Sequence, residues 1–233
     1  LYTGGFGADI VAYTRAGEPD SLLPRFKLRA KVLKGNLPRL FDLLAEIMTE
    51  SDFSGAKRVR ELIDEEKTGM ELSLQRAANQ VVAARIAADL TPAGRYAEVG
   101  GLPFHDFLRT FKDNFEARHA EMQAAFRRIL PQIFNANDLM VSITAPAADY
   151  DEIAAQLAEF QQKISSVLFP AAPYTWEIVP KNEGLMTQSR VQYVAKGANF
   201  IKLGFAYTGV LRVLETLLRY DYFWTRIRVQ GGA

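Results

Sequence analysis

Hydrophobic and polar positions alternate at the start of the chain. Residues 6–16 and 22–33 place β-branched or apolar side chains between polar ones, and the turn signal Gly17-Glu-Pro-Asp20 separates the two stretches. Period-two alternation on both sides of a turn is typical of a β-hairpin. We therefore predict that the chain begins with two paired strands.

The pattern then changes to a helical period. Asn36 stands at the expected N-cap and Pro38 in the first turn of a predicted helix. Apolar residues follow three or four positions apart, at Leu37, Leu40, Phe41, Leu44, Ile47 and Met48. A second helical stretch runs from about residue 54 to Pro92, with Gly69 as a candidate break.

Phenylalanines carry the helical period further along the chain. They recur at positions 104, 107, 111 and 115, after a predicted loop at residues 91–96, and indicate a helical layer that ends near residues 135–138. Residues 139–143 then read as a strand and residues 149–164 as an amphipathic helix.

A change of pattern divides the chain. Residues 166–186 begin with prolines, alanines and serines without periodicity and are the predicted linker, after a first domain at residues 1–165. Residues 187–233 then form the predicted beginning of a second, related domain. Strands are expected at 174–179 and 191–196 and a helix at 209–224. The fold class is α+β, with an antiparallel or mixed sheet covered by long helices, and we expect these residues to be part of a longer protein.

Composition excludes several classes of protein. The formal net charge is +1 and no dense Lys/Arg stripe stands out, so nucleic acid is not an expected partner. No apolar run is long enough to span a bilayer, so no membrane association is expected either. The absence of cysteine excludes disulfides, thiolate metal ligands and a cysteine nucleophile in these residues.

Catalytic motifs are missing as well. A zinc site on a helix needs ligands about one turn apart, whereas His105 and His119 are fourteen positions apart. The acidic cluster Glu61, Asp64, Glu65 and Glu66 alternates with lysines and arginines and is interpreted as a solvated, ion-paired face. We therefore assign no catalytic residue and no metal ligand in this chain.

Several motifs occur in a particular order along the chain. They are Tyr2-Thr-Gly-Gly-Phe6, the helix that begins at Lys34-Gly-Asn-Leu-Pro38, Leu90-Thr-Pro-Ala-Gly94, Tyr193-Val-Ala-Lys-Gly-Ala-Asn-Phe200 and Ile227-Arg-Val-Gln-Gly-Gly-Ala233. The last of them follows a helix of the form Val-x-x-Val-Leu-x-x-Leu-Leu and an aromatic Tyr-Phe-Trp. Taken together and in order, these motifs resemble the inverzincin peptidases of the insulinase superfamily, and their presequence-peptidase branch in particular.

The resemblance implies a role in peptide binding. Such peptidases are similar to a clamshell of two halves, with zinc in the N-terminal half, and this chain resembles their third domain and the start of the fourth. In the pattern Arg-x-x-Gly-Gly-Ala-Tyr, Arg228 matches the arginine that binds the peptide backbone, and Gly231 and Gly232 match the glycines beside it. The expected partners are a peptide substrate and the N-terminal catalytic half, and the expected cofactor is zinc held outside this chain.

Spacing alone supports a different interpretation of the tail. Arg226 and Arg228 would offset the negative end of a helix that Gly231 terminates. Two other functions also stay open: a metal-free scaffold subunit of the same superfamily, and an interaction module that self-associates through an open sheet edge. The expected location is the bacterial cytoplasm or an organelle matrix.

Overall fold

The computed structural model describes residues 3–170, 174, 176–179, 181–187 and 191–231. Within this part of the chain, β1 (Thr3–Tyr13) and β2 (Leu23–Val32) pair as an antiparallel hairpin. In the turn between them, Gly17 has a φ of 80°, a left-handed value that glycine adopts without steric cost. The predicted hairpin is confirmed, with strand ends shifted by a few residues.

Helix α1 spans Leu37–Thr49 and has Pro38 in its first turn, as predicted. Asn36 is the N-cap residue of α1, as predicted, although its side chain makes no capping hydrogen bond. Residues 34–36 form a 3₁₀ turn, which gives Asn36 a φ of −107° and a ψ of 5° in place of the extended backbone of a capping residue.

The helical stretch predicted from residue 54 consists of α2 (Ala56–Arg76) and α3 (Ala78–Ala88). Gly69, the candidate break, lies inside α2. The break falls at Ala77 instead, where a φ of −118° and a ψ of 36° leave the helical region. A glycine inside a helix costs only about 1 kcal/mol relative to alanine, and α2 continues through it.

The phenylalanine series belongs to two helices that follow α4 (Pro92–Val99). These are α5 (Leu102–Asp113) and α6 (Phe115–Ile133). Their buried residues join one from α2 in a core cluster, made of Ile63, Leu108, Phe111 and Phe115. The predicted helical layer is therefore confirmed.

A second core cluster lies between α1 and the last helix of the first predicted domain, α7 (Tyr150–Lys163). The Phe41 and Phe160 rings stack with centroids 5.3 Å apart. Leu28 of β2 also packs on this cluster, so α1 and α7 hold the hairpin against the helices.

Three predicted strands are wrong. Residues 139–143, the described residues of 174–179 and residues 191–196 belong to no strand. A strand exists only where a neighbour completes its hydrogen-bond ladder, and the described residues of these segments have no such neighbour. The division into domains at residues 166–186 stays a prediction.

A Lys/Arg stripe does occur, contrary to expectation. Arg25, Lys27, Arg29 and Lys31 occupy alternate positions of β2 and therefore share one face of the hairpin. Because the strand period separates the four cations in the sequence, they do not form a basic run.

Helices packed on an antiparallel hairpin confirm the α+β class. Beyond α7, a helix α8 (Val210–Leu217) continues into a π-helix (Leu218–Val229). Among the described residues, no helix has both the length and the apolar character needed to cross a bilayer.

Candidate functional site

The segment that carries Arg228 is helical up to Val229. The predicted helix at 209–224 is confirmed, and its π-helical part continues through Arg226 and Arg228 to Val229. No described residue of α8 or the π-helix is buried. The apolar and aromatic side chains that the two helices leave in solvent include Val210, Val213, Leu217, Tyr220, Tyr222, Phe223, Trp224 and Ile227.

Arg228 lies on the surface of the last turn. Its guanidinium carbon is 5.8 Å from the centroid of the Trp224 ring, a distance typical of a cation–π contact. Two residues earlier, Arg226 Nη1 donates a hydrogen bond to Gln230 Oε1 at 3.4 Å. Both arginines stand where the helix exposes its free carbonyl groups, so the local geometry fits the helix-end interpretation as well as the peptide-binding one.

Gly231 lies two positions after the last residue of the π-helix, Val229. A Cβ atom at this position would lie 2.5 Å from the carbonyl oxygen of Ile227, so a residue with a side chain would force the backbone to shift. Gly232 lies outside the described residues. The structure thus explains Gly231 as a close approach at a helix end, while its predicted role beside a peptide stays a prediction.

The two histidines occupy separate environments. His105, in α5, has Nε2 3.3 Å from Glu71 Oε1, and Lys67 together with His105 lowers the pKa of the Glu71 carboxyl. His119, in α6, has Nε2 2.9 Å from the Phe53 carbonyl oxygen. Among the described residues, no group of three or more histidine or acidic side chains is arranged to hold a metal ion.

The acidic cluster of α2 is an ion-paired face, as interpreted from the sequence. Arg58 Nη1 lies 3.3 Å from Glu61 Oε2 and 3.5 Å from Glu65 Oε1. Lys112 Nζ, from α5, lies 2.5 Å from Asp64 Oδ1. These pairs are solvent-exposed and therefore contribute little to stability.

A partly buried ion cluster that the sequence analysis missed connects α3, α4 and the predicted linker. Arg85 Nη1 donates to Glu98 Oε1 at 2.9 Å, and its Nε and Nη2 donate to both carboxylate oxygens of Glu183 at 2.7 and 2.6 Å. Arg85 lowers the pKa of Glu183, and Glu183 followed by Glu98 raises that of Arg85. We call these three residues the Arg85 clamp.

The chain after Glu183 also packs on α3. A Cβ atom at Gly197 would lie 2.5 Å from Ile86 Cγ2, so the backbone of the Tyr193–Phe200 motif runs against this helix. Tyr96 of α4 makes an edge contact with Tyr174, with ring centroids 6.1 Å apart. The described residues 174–200 therefore contact α3 and α4 at several points.

The Leu90–Gly94 motif forms the corner between α3 and α4, where a loop was expected. Thr91 caps α4 by accepting a hydrogen bond from the Gly94 amide at 3.0 Å, and Pro92 opens the helix. A Cβ atom at Gly94 would clash with the Ala87 carbonyl group. The predicted loop is wrong, because a cap, a proline and a glycine that permits close contact turn these residues into a tight helix start.

Comparison with known proteins identifies relatives along the whole chain. Residues 1–111 match the model of the family described as associated with peptidases of family M16, subfamily C. Protein HypA of Clostridium perfringens (strain 13 / Type A) is 27% identical over an alignment that covers 100% of this chain and 24% of the relative. Presequence protease 1, chloroplastic/mitochondrial, of Arabidopsis thaliana is 25% identical, with 99% of this chain and 22% of the relative covered.

The chain spans about a quarter of the length of the curated relatives it matches. The resemblance that the motifs carry agrees with the family match over residues 1–111 and with alignments that extend to the end of the chain. The family match over residues 1–111 and the two alignments together support a C-terminal region similar to that of the subfamily C-like peptidases of the insulinase superfamily.

Proposed function

We propose that this chain is a non-catalytic region of a zinc-dependent peptidase that degrades short, unstructured peptides. In this proposal it forms part of the wall of a closing chamber and binds the peptide, while zinc and the catalytic glutamate belong to the N-terminal half of the longer protein. The observation that carries the proposal is the alignment with a presequence protease over 99% of the chain.

The proposed peptide-binding element is the end of the π-helix. A guanidinium group donates several hydrogen bonds in a fixed geometry and stays charged at any physiological pH, so Arg228 is suited to hold a substrate carbonyl. The exposed aromatic residues of the same helix, Tyr222, Phe223 and Trp224, supply apolar surface for peptide side chains. Holding an extended peptide in register with the metal lowers the barrier through orientation.

Replacing Arg228 in the full-length enzyme tests this role. We expect Arg228→Ala to lower kcat/KM for a peptide substrate by about tenfold, a loss of about 1.4 kcal/mol of transition-state binding, with the bound zinc unchanged. Arg226→Ala is the matched control, because it removes the same charge one half-turn away, where the side chain bonds Gln230. Equal kinetics for wild type and Arg228→Ala would refute the assigned role.

Zinc titration of the isolated chain tests where the metal belongs. Because His105 and His119 lie in separate surroundings, we expect calorimetry to detect no tight one-to-one zinc binding. Tight binding that His105→Ala or His119→Ala abolishes would place a metal site within this chain and contradict the proposal.

A further inference from the structure

The outer face of the hairpin carries a row of cations. Arg25, Lys27, Arg29 and Lys31 lie on one face of β2. Their Cα atoms follow one another at about 6.6 to 6.8 Å, which is twice the rise per residue of a strand. Val11, Asp9, Gly7 and Gly5 of β1 are their respective register partners.

The positive charge of this face is poorly balanced. Asp9 pairs with Arg29, at 2.6 Å between carboxylate and guanidinium. Arg25 donates to the carbonyl oxygen of the neighbouring Pro24. Within the described part of the chain, no carboxylate lies within ion-pair distance of Arg25, Lys27 or Lys31. Three of the four cations thus face solvent without an acidic partner among these residues.

At one end of the row, the β1 residues opposite the cations carry no side chain. Gly5 and Gly7, opposite Lys31 and Arg29, place no side chain on the face. With Arg29 and Lys31 they line a shallow, open depression of about 310 Å³, which Phe6 and Ala30 also border. A backbone can therefore approach the sheet closely beside two of the cations.

We propose that this face binds an extended acidic peptide segment with carboxylates at alternate positions. In an extended peptide, alternate side chains point to the same side at the same spacing as the cations of β2, so each carboxylate meets one cation. The two glycines give room for the peptide backbone. Binding at this face is independent of the proposed peptidase activity.

A peptide fits this face better than a nucleic acid does. Single-stranded nucleic acids bind through stacking of bases on several aromatic side chains as well as through cations. The β1 residues opposite the four cations are Gly5, Gly7, Asp9 and Val11, none of them aromatic, and Tyr13 lies beyond the row, opposite Leu23. The Asp9 carboxylate in the middle of the row would also repel a continuous line of phosphates.

Fluorescence anisotropy with the full-length protein tests the proposal. The probe is a labelled peptide of alternating glutamate and serine, measured with a chelator present so that no metal-dependent cleavage occurs. We expect saturable binding that Lys27→Gln with Lys31→Gln weakens about fivefold, since two exposed ion pairs are removed. Salt at about 1 M, which screens charges beyond about 3 Å, should abolish the binding.

Three controls decide the outcome. Lys57→Gln with Lys196→Gln removes the same charge from exposed positions outside the hairpin and should leave the affinity unchanged. An isomeric peptide with its glutamates in one block should bind more weakly, because neighbouring side chains of an extended chain point to opposite sides. The proposal fails if both double variants bind alike, if the block peptide binds equally well, or if single-stranded DNA binds more tightly.

Discussion

Arg85→Met is expected to lower the free energy of unfolding by about 3–5 kcal/mol, because it leaves a buried carboxylate without its cation. The Glu98 side chain is 3% exposed and that of Arg85 16%, so neither charge is solvated well enough to stand alone. Methionine keeps the aliphatic stem and removes the guanidinium, which isolates the electrostatic part of the loss. Urea unfolding followed by circular dichroism measures the change.

A second variant confirms the cause. Arg85→Met with Glu98→Leu removes both charges and should recover much of the stability, since an apolar pair replaces a buried ion pair at little or no cost. Arg58→Met, which breaks exposed pairs with Glu61 and Glu65, should cost less than about 1 kcal/mol. A similar loss for Arg58→Met and Arg85→Met would contradict the buried clamp.

The clamp also predicts a pH dependence. Arg85 lowers the pKa of Glu183, so the stability that Glu183 contributes is present above its unfolded pKa and is lost as the pH falls through its folded pKa. The difference between wild type and Arg85→Met should therefore shrink on acidification. The same variant frees the segment around Glu183, which limited proteolysis would detect as faster cleavage there.

Local pattern was enough to predict the hairpin and the helices other than α4. Each depends on a period of two or about 3.6 residues that can be read within one segment, as in residues 37–48 and 104–115. The failed strands had the right composition, but a strand also needs a partner elsewhere in the chain. No local pattern identifies that partner for residues 139–143.

Ion pairs between residues far apart in the sequence could not be predicted, for a related reason. Arg85 and Glu183 are 98 positions apart, and each reads as an ordinary surface charge in the sequence. The cations of β2 were overlooked for the opposite reason, because they are local but are separated by apolar residues of the other face. Basic residues at a period of two over residues 25–31 are the sequence signal that identifies them.

Neither the sequence pattern nor the fold decides between the two interpretations of Arg228 and Gly231. Arg228 lies in the last turn, where the helix leaves carbonyl groups free, and Gly231 avoids a clash with the Ile227 carbonyl oxygen. The same positions would also present a guanidinium and a bare backbone to a peptide. Similarity to a presequence protease favours the second role, and kinetics of the complete enzyme distinguish the two.

Phe111→Ala should lower the free energy of unfolding by about 3–5 kcal/mol, as expected for removal of a large aromatic side chain from a packed core. Phe111 is 3% exposed and lies between Phe107 and Phe115, with ring centroids 5.6 and 5.9 Å away. The Arg118 guanidinium carbon lies 5.4 Å from its ring centroid, so the variant also loses a cation–π contact. Because the ring joins α5 to α2 and α6, its removal weakens three helices together.

Phe107→Ala is the matched control. It removes the same side chain one turn earlier in α5, where the ring is 44% exposed, and should cost less than half as much. Phe111→Leu should fall between wild type and Phe111→Ala, because leucine fills part of the cavity. Denaturant midpoints should order the variants in this way with an unchanged m-value. Equal losses for the two alanine variants would mean that residue 111 is not in the core, and the packing of α2, α5 and α6 would have to differ.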